Sequence, residues 1–166
     1  MNITLRHLSL TFDLESDTPF FQVSNPHRIR FNVDVMNKPL VTTIVNQLFD
    51  TPDTTHCSFL SKYLYPIHAR EKTHVGRFFN IINWREDVHV GEDTYIITTF
   101  YKLTNKALID YLLYVPRSFI NPYIIFYNNH HIVYISSDVL DVISCSEEVI
   151  KNYKTQYADI MDTYYE

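Results

Sequence analysis

The stretch Phe119–Tyr165, FINPYIIFYNNHHIVYISSDVLDVISCSEEVIKNYKTQYADIMDTYY, decides the fold. Its apolar, β-branched and aromatic runs Pro122–Tyr127 and His131–Ile135 are typical of strands. Asn128-Asn129 lies between them and predicts a tight hairpin turn, because asparagine tolerates the positive φ that such turns require. After three polar residues the pattern resumes at Val139–Ile143, so we expect a hairpin followed by a further short strand.

A long amphipathic helix is predicted to follow these strands. Ser144 or Ser146 can cap it, and Glu147 and Glu148 in its first turn suit the positive end of the helix dipole. Apolar residues then recur at helical spacing, namely Val149, Ile150, Tyr153, Tyr157, Ile160, Met161 and Tyr164. This pattern predicts one apolar stripe that packs against the hairpin.

The rest of the chain predicts more strands and two further helices. Composition and alternation favour strands at Leu5–Glu15, Arg28–Val35, Cys57–Tyr65, Val75–Trp84 and Thr94–Tyr101. The first of these could also be a helix. In the second, apolar residues alternate with two arginines, so we expect one face to lie in solvent. Helix caps are available at Asn37, for a helix that ends near Asp50, and at Thr104 or Asn105, for a helix that Pro116 stops.

The predicted elements mix strands and helices without regular βαβ alternation. This order favours an α+β fold with a mixed, largely antiparallel sheet packed by about three helices. A chain of 166 residues can bury a core without metal or disulfide support, so we expect a single domain over residues 1–166.

Composition disfavours several classes of function. Hydrophobic residues make up 46% and charged residues 20%, a globular balance, and the net charge is −5. That acidity disfavours a general nucleic-acid binder, which needs Lys and Arg to neutralise phosphates. With only two glycines, neither a P-loop nor a dinucleotide fingerprint fits, and we expect no cofactor. No signal-peptide pattern, membrane span or CxxC pair is recognisable, so we expect a cytoplasmic protein with reduced thiols.

Histidine and cysteine give no strong signal for a reaction site. The eight histidines are His7, His27, His56, His68, His74, His89, His130 and His131. None belongs to an HExxH or finger motif, although His56 and Cys57 could converge with His68 and His74. Cys57 or Cys145 beside a histidine could make a thiol nucleophile, but buried, inert thiols are the more common case. We therefore predict a protein that is not an enzyme and holds no metal.

Two carboxylate pairs lie in a segment that we predict to be an acidic loop, Glu86–Asp93. Such a loop is either a solvated charge cluster or a docking patch for a basic partner. Tyrosine is also frequent, with 13 in the chain, and these rings fit either the rim of a β-rich core or an aromatic recognition surface. As the partner-binding site we select Glu86, Asp87, Glu92, Asp93, Tyr127 and Tyr134.

The alternative function is a nucleic-acid-binding module in the basic stretch Lys62–Arg85. Its cations are Lys62, Arg70, Lys72, Arg77 and Arg85, and the aromatic residues among them are Tyr63, Tyr65, Phe78, Phe79 and Trp84. Basic residues mixed with aromatic ones on a sheet are what single-stranded nucleic-acid binders use. A solvated basic face explains the same pattern, and no module signature is present.

Three passages resemble an uncharacterised bacterial family, domain of unknown function 3885. His27–Phe31 with the helix after it, Leu40–Asp50, is similar to the family's IRFELG strand and following helix. Ile132–Ile143 resembles its IYDDRGLDVI passage, and Tyr153–Tyr164 resembles its closing helix, LYEKYNDWILDYD. In this chain Ser136–Val139 replaces the acidic, glycine-ended turn of the family, and the glycine after the first strand is absent.

This resemblance implies a function by binding. Such families, in low-GC Gram-positive bacteria, are often encoded near polymorphic toxins. That setting implies an immunity protein, which neutralises a toxin or effector domain by direct stoichiometric binding. Mild acidity, many aromatic residues and the lack of recognisable reaction chemistry fit such an inhibitor. They would also fit a phage-encoded inhibitor of a bacterial defence system.

Overall fold

The computed structural model describes residues 1–51 and 54–165, and within them the chain forms ten strands and three α-helices. The strands are β1 (Asn2–Leu5), β2 (Leu8–Thr11), β3 (Arg28–Asn32), β4 (His56–Tyr65), β5 (Ala69–Arg70), β6 (Trp84–Val90), β7 (Thr94–Tyr101), β8 (Ile124–Tyr127), β9 (His131–Ile135) and β10 (Val139–Ser144). The helices are α1 (Lys38–Leu48), α2 (Asn105–Tyr114) and α3 (Glu147–Gln156).

Eight strands form one large antiparallel sheet. Its order is β3-β10-β9-β8-β4-β7-β6, with β5 paired to one end of β4. The remaining two strands, β1 and β2, form a separate hairpin. The predicted α+β class is therefore confirmed, with its largely antiparallel sheet and its three helices, of which α3 comes last in the chain.

The hairpin of β8 and β9 is confirmed, but its turn is not built on positive φ. Among the described residues other than glycine, positive φ occurs at Arg6, His74 and Lys102 and not at Asn128 or Asn129. Instead the Asn128 side-chain carbonyl accepts the backbone N–H groups of His130 and His131, at 2.9 and 2.8 Å. Asparagine thus closes the turn with its side chain.

Helix α3 is shorter than the apolar stripe predicts. It ends at Gln156, and of the stripe only Ile150 and Tyr153 are buried. Beyond the helix, Met161 forms an antiparallel bridge with Phe31 of β3. The tail of the predicted stripe therefore packs along the edge of the sheet rather than continuing as a helix.

Of two other predicted strands, Leu5–Glu15 is confirmed only over Leu8–Thr11, and Val75–Trp84 is wrong. Leu5–Glu15 contains the turn of the β1–β2 hairpin, where Arg6 adopts a φ of 51°. Val75–Trp84 forms a 3-10 turn and a loop, with only its last residue in a strand. In that loop Phe79 packs against Tyr111 of α2, with ring centroids 5.6 Å apart, so the aromatic residues of this segment fill core space without strand pairing.

Both faces of the large sheet are buried except at β6, and the molecule therefore has three layers over the rest of the sheet. One face, which includes Phe126, packs with residues of all three helices. The opposite face, which includes Ile125, packs with Leu10 and Phe12 beside the β1–β2 hairpin. Because neighbouring strand residues point to opposite faces, β8 is apolar at every position and lacks alternation.

Burial of both faces also overturns the prediction that β3 has a solvated face. Arg30 is only 7% exposed, and its guanidinium donates two hydrogen bonds to the Asp141 carboxylate, at 2.6 and 2.8 Å. The ring of Phe20 lies 4.0 Å from the same guanidinium. Burial raises the pKa of Asp141, while the hydrogen bonds from Arg30 act in the opposite direction.

Candidate functional site

The four predicted acidic contact residues lie at one edge of the sheet. The prediction that Glu86–Asp93 forms a loop is wrong. Its residues up to Val90 belong to β6, and only Gly91–Asp93 connect β6 to β7. Val88 and Val90 alternate with Asp87 and His89, and both valines pair with residues of β7, as is typical of a strand. We call Trp84–Asp93, the strand and its turn, the β6 edge.

The β6 edge has two faces with different neighbours. Trp84, Glu86, Val88 and Val90 share one face, and the side chains between them share the other. On that other face Asp87 accepts a hydrogen bond from Arg85 at 3.0 Å, and both groups are partly exposed.

His89 lies on the same face as this exposed ion pair, where its ring stacks on Tyr95 with centroids 4.6 Å apart. Its Nε2 is 3.2 Å from the Glu15 carboxylate, although the two atoms do not meet the geometry of a hydrogen bond. A Cβ on Gly91 would collide with that carboxylate, so the turn comes very close to the Glu15 side chain.

Further carboxylates gather near this turn. The pKa of Tyr63 is raised by burial and then by the negative charges of Glu71 and Asp93, which places both acids near its ring. Glu15 contacts the turn from the N-terminal segment, and Glu92 is itself exposed within the turn. The turn end of the β6 edge is therefore a negatively charged region.

Exposed apolar side chains lie directly beside these charges. Trp84 is 58%, Val88 57% and Val90 79% exposed. Val90 stands opposite Thr94, which in turn stands opposite Tyr65 on β4, and that tyrosine is 63% exposed. Large exposed apolar side chains that adjoin each other are typical of interaction surfaces.

The structure places the two tyrosines selected as contact residues on a covered face of the sheet. Tyr134 is only 8% exposed, and burial raises its pKa to about 12. Tyr127 is half-buried, and its hydroxyl is hydrogen-bonded to Ser58 at 3.1 Å. The reason is the layer beside β1 and β2, which covers the face of the sheet that these rings occupy. Tyr134 cannot contact a partner from this position.

The basic stretch is not one continuous binding face. Arg85 is ion-paired with Asp87, and Arg77 donates a hydrogen bond to the Tyr114 hydroxyl at 3.3 Å. Phe79 is 7% exposed and packs in the core. A stacking surface for nucleic-acid bases needs accessible rings beside free cations.

Cysteine and histidine are dispersed among several environments. In residues 1–51 and 54–165 no three His, Cys, Asp or Glu side chains come together as a metal site. Cys57 is fully buried, and burial raises the pKa of its thiol. Cys145 has its sulfur 3.8 Å from Nδ1 of His130 and is 8% exposed, a contact that the sequence did not single out.

Sequence reasoning missed the apolar members of the β6 edge. The signal was present, since Trp84, Glu86, Val88 and Val90 alternate with Arg85, Asp87 and His89. Charged residues at the odd positions made the segment read as a loop, although a strand at the edge of a sheet commonly carries charges.

No protein-family model matches this chain, and no curated protein and no solved structure matches it. The resemblance to the bacterial family therefore stays a prediction. Among the described helices, none combines the length and the apolar character needed to span a membrane.

Proposed function

We propose that this chain is a non-enzymatic binding protein that neutralises a toxin or effector protein by stoichiometric binding through the β6 edge. One observation carries the proposal: Trp84, Val88 and Val90 are exposed beside four acidic residues, on a strand that pairs with no described strand on its outer side. A free apolar surface of this kind costs solubility unless a partner covers it.

The two kinds of side chain serve different purposes in such a contact. Apolar area removed from water supplies affinity, at about 25 cal/mol per Å². Carboxylates steer the approach of a basic partner and disfavour acidic ones. The acidic residues of the edge are Glu86, Asp87, Glu92 and Asp93, and its cation Arg85 is already paired. The partner that fits has a basic surface with apolar residues within it.

Cellular setting and partner identity belong to the same proposal. Both cysteines are free, which supports action in a reducing compartment such as the cytoplasm. An immunity protein and a phage-encoded inhibitor of a defence system would use the same surface and differ in the protein they block.

The test compares two charge-reversed variants. In the first, Glu86, Asp87, Glu92 and Asp93 are replaced by lysine. In the matched control, the exposed residues Asp17, Asp110, Glu148 and Asp159 are replaced by lysine, which changes the net charge equally. Tagged wild type is used to capture its partner from lysate of the native host, and each variant is then titrated with the purified partner by calorimetry.

We expect one protein captured in stoichiometric amount. Reversal at the β6 edge should weaken its binding by about 100-fold or more, and the control set by only a few fold. If both variants bind like wild type, the surface assignment is wrong. If nucleic acid is captured in place of a protein, or nothing is, the proposed function is wrong.

A further inference from the structure

We propose that the β6 edge binds by strand addition, in which an extended segment of the partner, rich in Lys or Arg, pairs with β6 as a further strand of the large sheet. This inference rests on the proposed function and specifies its mechanism. Addition of a strand to a sheet edge is an established mode of peptide recognition, in which backbone hydrogen bonds give affinity and alternate side chains give specificity.

The backbone groups that would receive this segment can be identified. Gly91 donates its N–H to the Asp93 carbonyl at 3.2 Å, so the pair at the turn is hydrogen-bonded. Hydrogen-bonded and non-hydrogen-bonded pairs alternate along an antiparallel ladder. The next pair, Val90 and Thr94, is therefore of the non-hydrogen-bonded kind. The residues whose N–H and C=O groups point away from β7 are therefore Trp84, Glu86, Val88 and Val90.

Within the described part of the chain, β6 pairs with β7 alone. The outward groups of four of its seven residues thus form a ready template for another strand. The residues with outward backbone groups are also those whose side chains form the exposed face with three apolar members. A segment that pairs here would bury apolar area and complete backbone hydrogen bonds in the same step.

Charge selects the occupant. A strand added to β6 places its side chains about 5 Å from Glu86 on one face and from Asp87 on the other. Near the turn it also approaches Glu92 and Asp93. Among the cations of this region, Arg85 is engaged by Asp87, and Lys62 stands on β4, two strands away from Val88. Lys or Arg at alternate positions of the added segment would face Asp87, and the apolar residues between them would face Val88 and Val90.

The same charges argue against a second copy of this chain as the occupant. Antiparallel pairing of two β6 strands about their centre would place Asp87 opposite Asp87 and Glu86 beside Val88. Like charges directly opposite each other destabilise a strand pair. A basic segment of another protein therefore fits this edge better than a second copy does in that register.

The experiment uses the full chain and a synthetic probe. The probe is a capped, fluorescein-labelled peptide that alternates lysine and valine over the length of β6. A peptide that alternates glutamate and valine is the matched control. Binding is measured by fluorescence anisotropy at low ionic strength, and amide hydrogen exchange is followed by NMR with and without the probe.

We expect the lysine peptide to bind at least about tenfold more tightly than the glutamate peptide, because like charges oppose the second. In its presence the outward amides of Glu86, Val88 and Val90 should gain protection. The inward amides of Arg85, Asp87 and His89, which already face β7, should change little. No binding of the lysine peptide, or binding without this alternation, would overturn strand addition.

Two substitutions at one position separate backbone pairing from side-chain contact. Val88→Pro removes an outward N–H and blocks pairing, and proline is tolerated on edge strands. Val88→Ala shortens the side chain and keeps the N–H. We expect binding of the lysine peptide to fall by about tenfold or more with proline and by only about twofold with alanine. Equal losses would overturn the proposal, and if the proline variant does not fold, the exchange pattern of the wild type decides alone.

The outcomes distinguish this inference from the proposed function. If a protein partner is captured but the probe fails these tests, strand addition is wrong and inhibition by binding stands. If the probe binds as expected but no protein partner exists, the function is wrong and the edge retains its pairing property. A dimer seen by sedimentation, abolished by Val88→Pro and insensitive to the probe, would identify a second copy as the occupant and overturn the proposal.

Discussion

The two outer strands of the large sheet, β3 and β6, differ in whether another segment hydrogen-bonds to their outer side. Along β3, Met161 bridges to Phe31, and the N–H of Asp162 donates to the carbonyl of Arg30 at 2.9 Å. Along β6, no described segment outside β7 pairs with the backbone. Proteins commonly protect sheet edges against pairing with other chains. Within the described residues, the C-terminal segment protects one edge and the other stays unpaired.

Each edge strand also carries the arginine of an Arg–Asp pair, and the two pairs differ in their surroundings. Arg30 and Asp141 are almost inaccessible, with side chains 8% and 0% exposed. Arg85 contacts only one carboxylate oxygen of Asp87, at 3.0 Å, and these side chains are 58% and 41% exposed. Burial removes hydration from both charges, so each becomes dependent on the other, whereas exposed charges keep water as an alternative partner. Position, not the residue types, sets how much such a pair matters.

The strongest test of this contrast is Arg30→Met. It leaves the buried Asp141 carboxylate without its partner, and we expect a loss of about 3–5 kcal/mol in the free energy of unfolding, measured in urea. The control is the double variant Arg30→Met with Asp141→Leu, which removes both charges. We expect that variant to recover most of the loss. Equal destabilisation of both variants would mean that packing under Phe20, not charge, explains the effect.

A second test uses pH on the covered half of the sheet. Burial, and then the charge of His130, lower the pKa of His131 to about 4, from an ordinary value of 6.5. Protonation therefore favours the unfolded chain, so the stability that His131 contributes is complete above pH 6.5 and is lost as pH falls to about 4. After allowance for the partial exposure of His131, we expect this loss to be about 2 kcal/mol in the free energy of unfolding.

His131→Gln isolates this effect, because glutamine does not titrate. Thermal unfolding of both proteins across the window should show a flatter pH dependence for the variant. Parallel curves would mean that His131 titrates normally in the folded protein.

A third test opens the covered edge. Asp162→Pro removes the N–H that donates to Arg30, and we expect a loss of about 1–2 kcal/mol in the free energy of unfolding, since one backbone hydrogen bond is lost and an acceptor is left open. Asp162→Asn is the matched control, since it keeps the backbone donor and a side-chain oxygen for the N–H of Tyr164. If the proline variant is as stable as the asparagine variant, the C-terminal segment does not protect β3.

The helices and the central strands could be predicted because their signals are local. Asn37 and Thr104 each accept a backbone N–H of the first helical turn, at 3.0 and 3.3 Å, and both were identified as caps from the sequence. The apolar runs of β8 and β9 also lie within a few residues of the turn that joins them.

What could not be predicted depends on distant residues. Nothing near Arg30 in the sequence indicates burial, since its partner Asp141 is 111 positions away. The β1–β2 hairpin covers Tyr134 from the start of the chain, so an aromatic residue that looked available for binding lies inside a layer. At the β6 edge, Glu86, Glu92 and Asp93 are exposed, as expected for charged residues. The strand itself could not be predicted from these residues alone, because it depends on pairing with β7.

The smallest expected effect completes the contrast between the two edges. Arg85→Ala removes the exposed partner of Asp87, and we expect the free energy of unfolding to change by less than about 0.5 kcal/mol, because water replaces the lost contact. The same substitution frees one more carboxylate at the β6 edge, so binding of the lysine peptide should become slightly tighter while stability is unchanged. A loss of stability comparable to that of Arg30→Met would show that β6 is structurally as constrained as β3, and the open edge would then need another explanation.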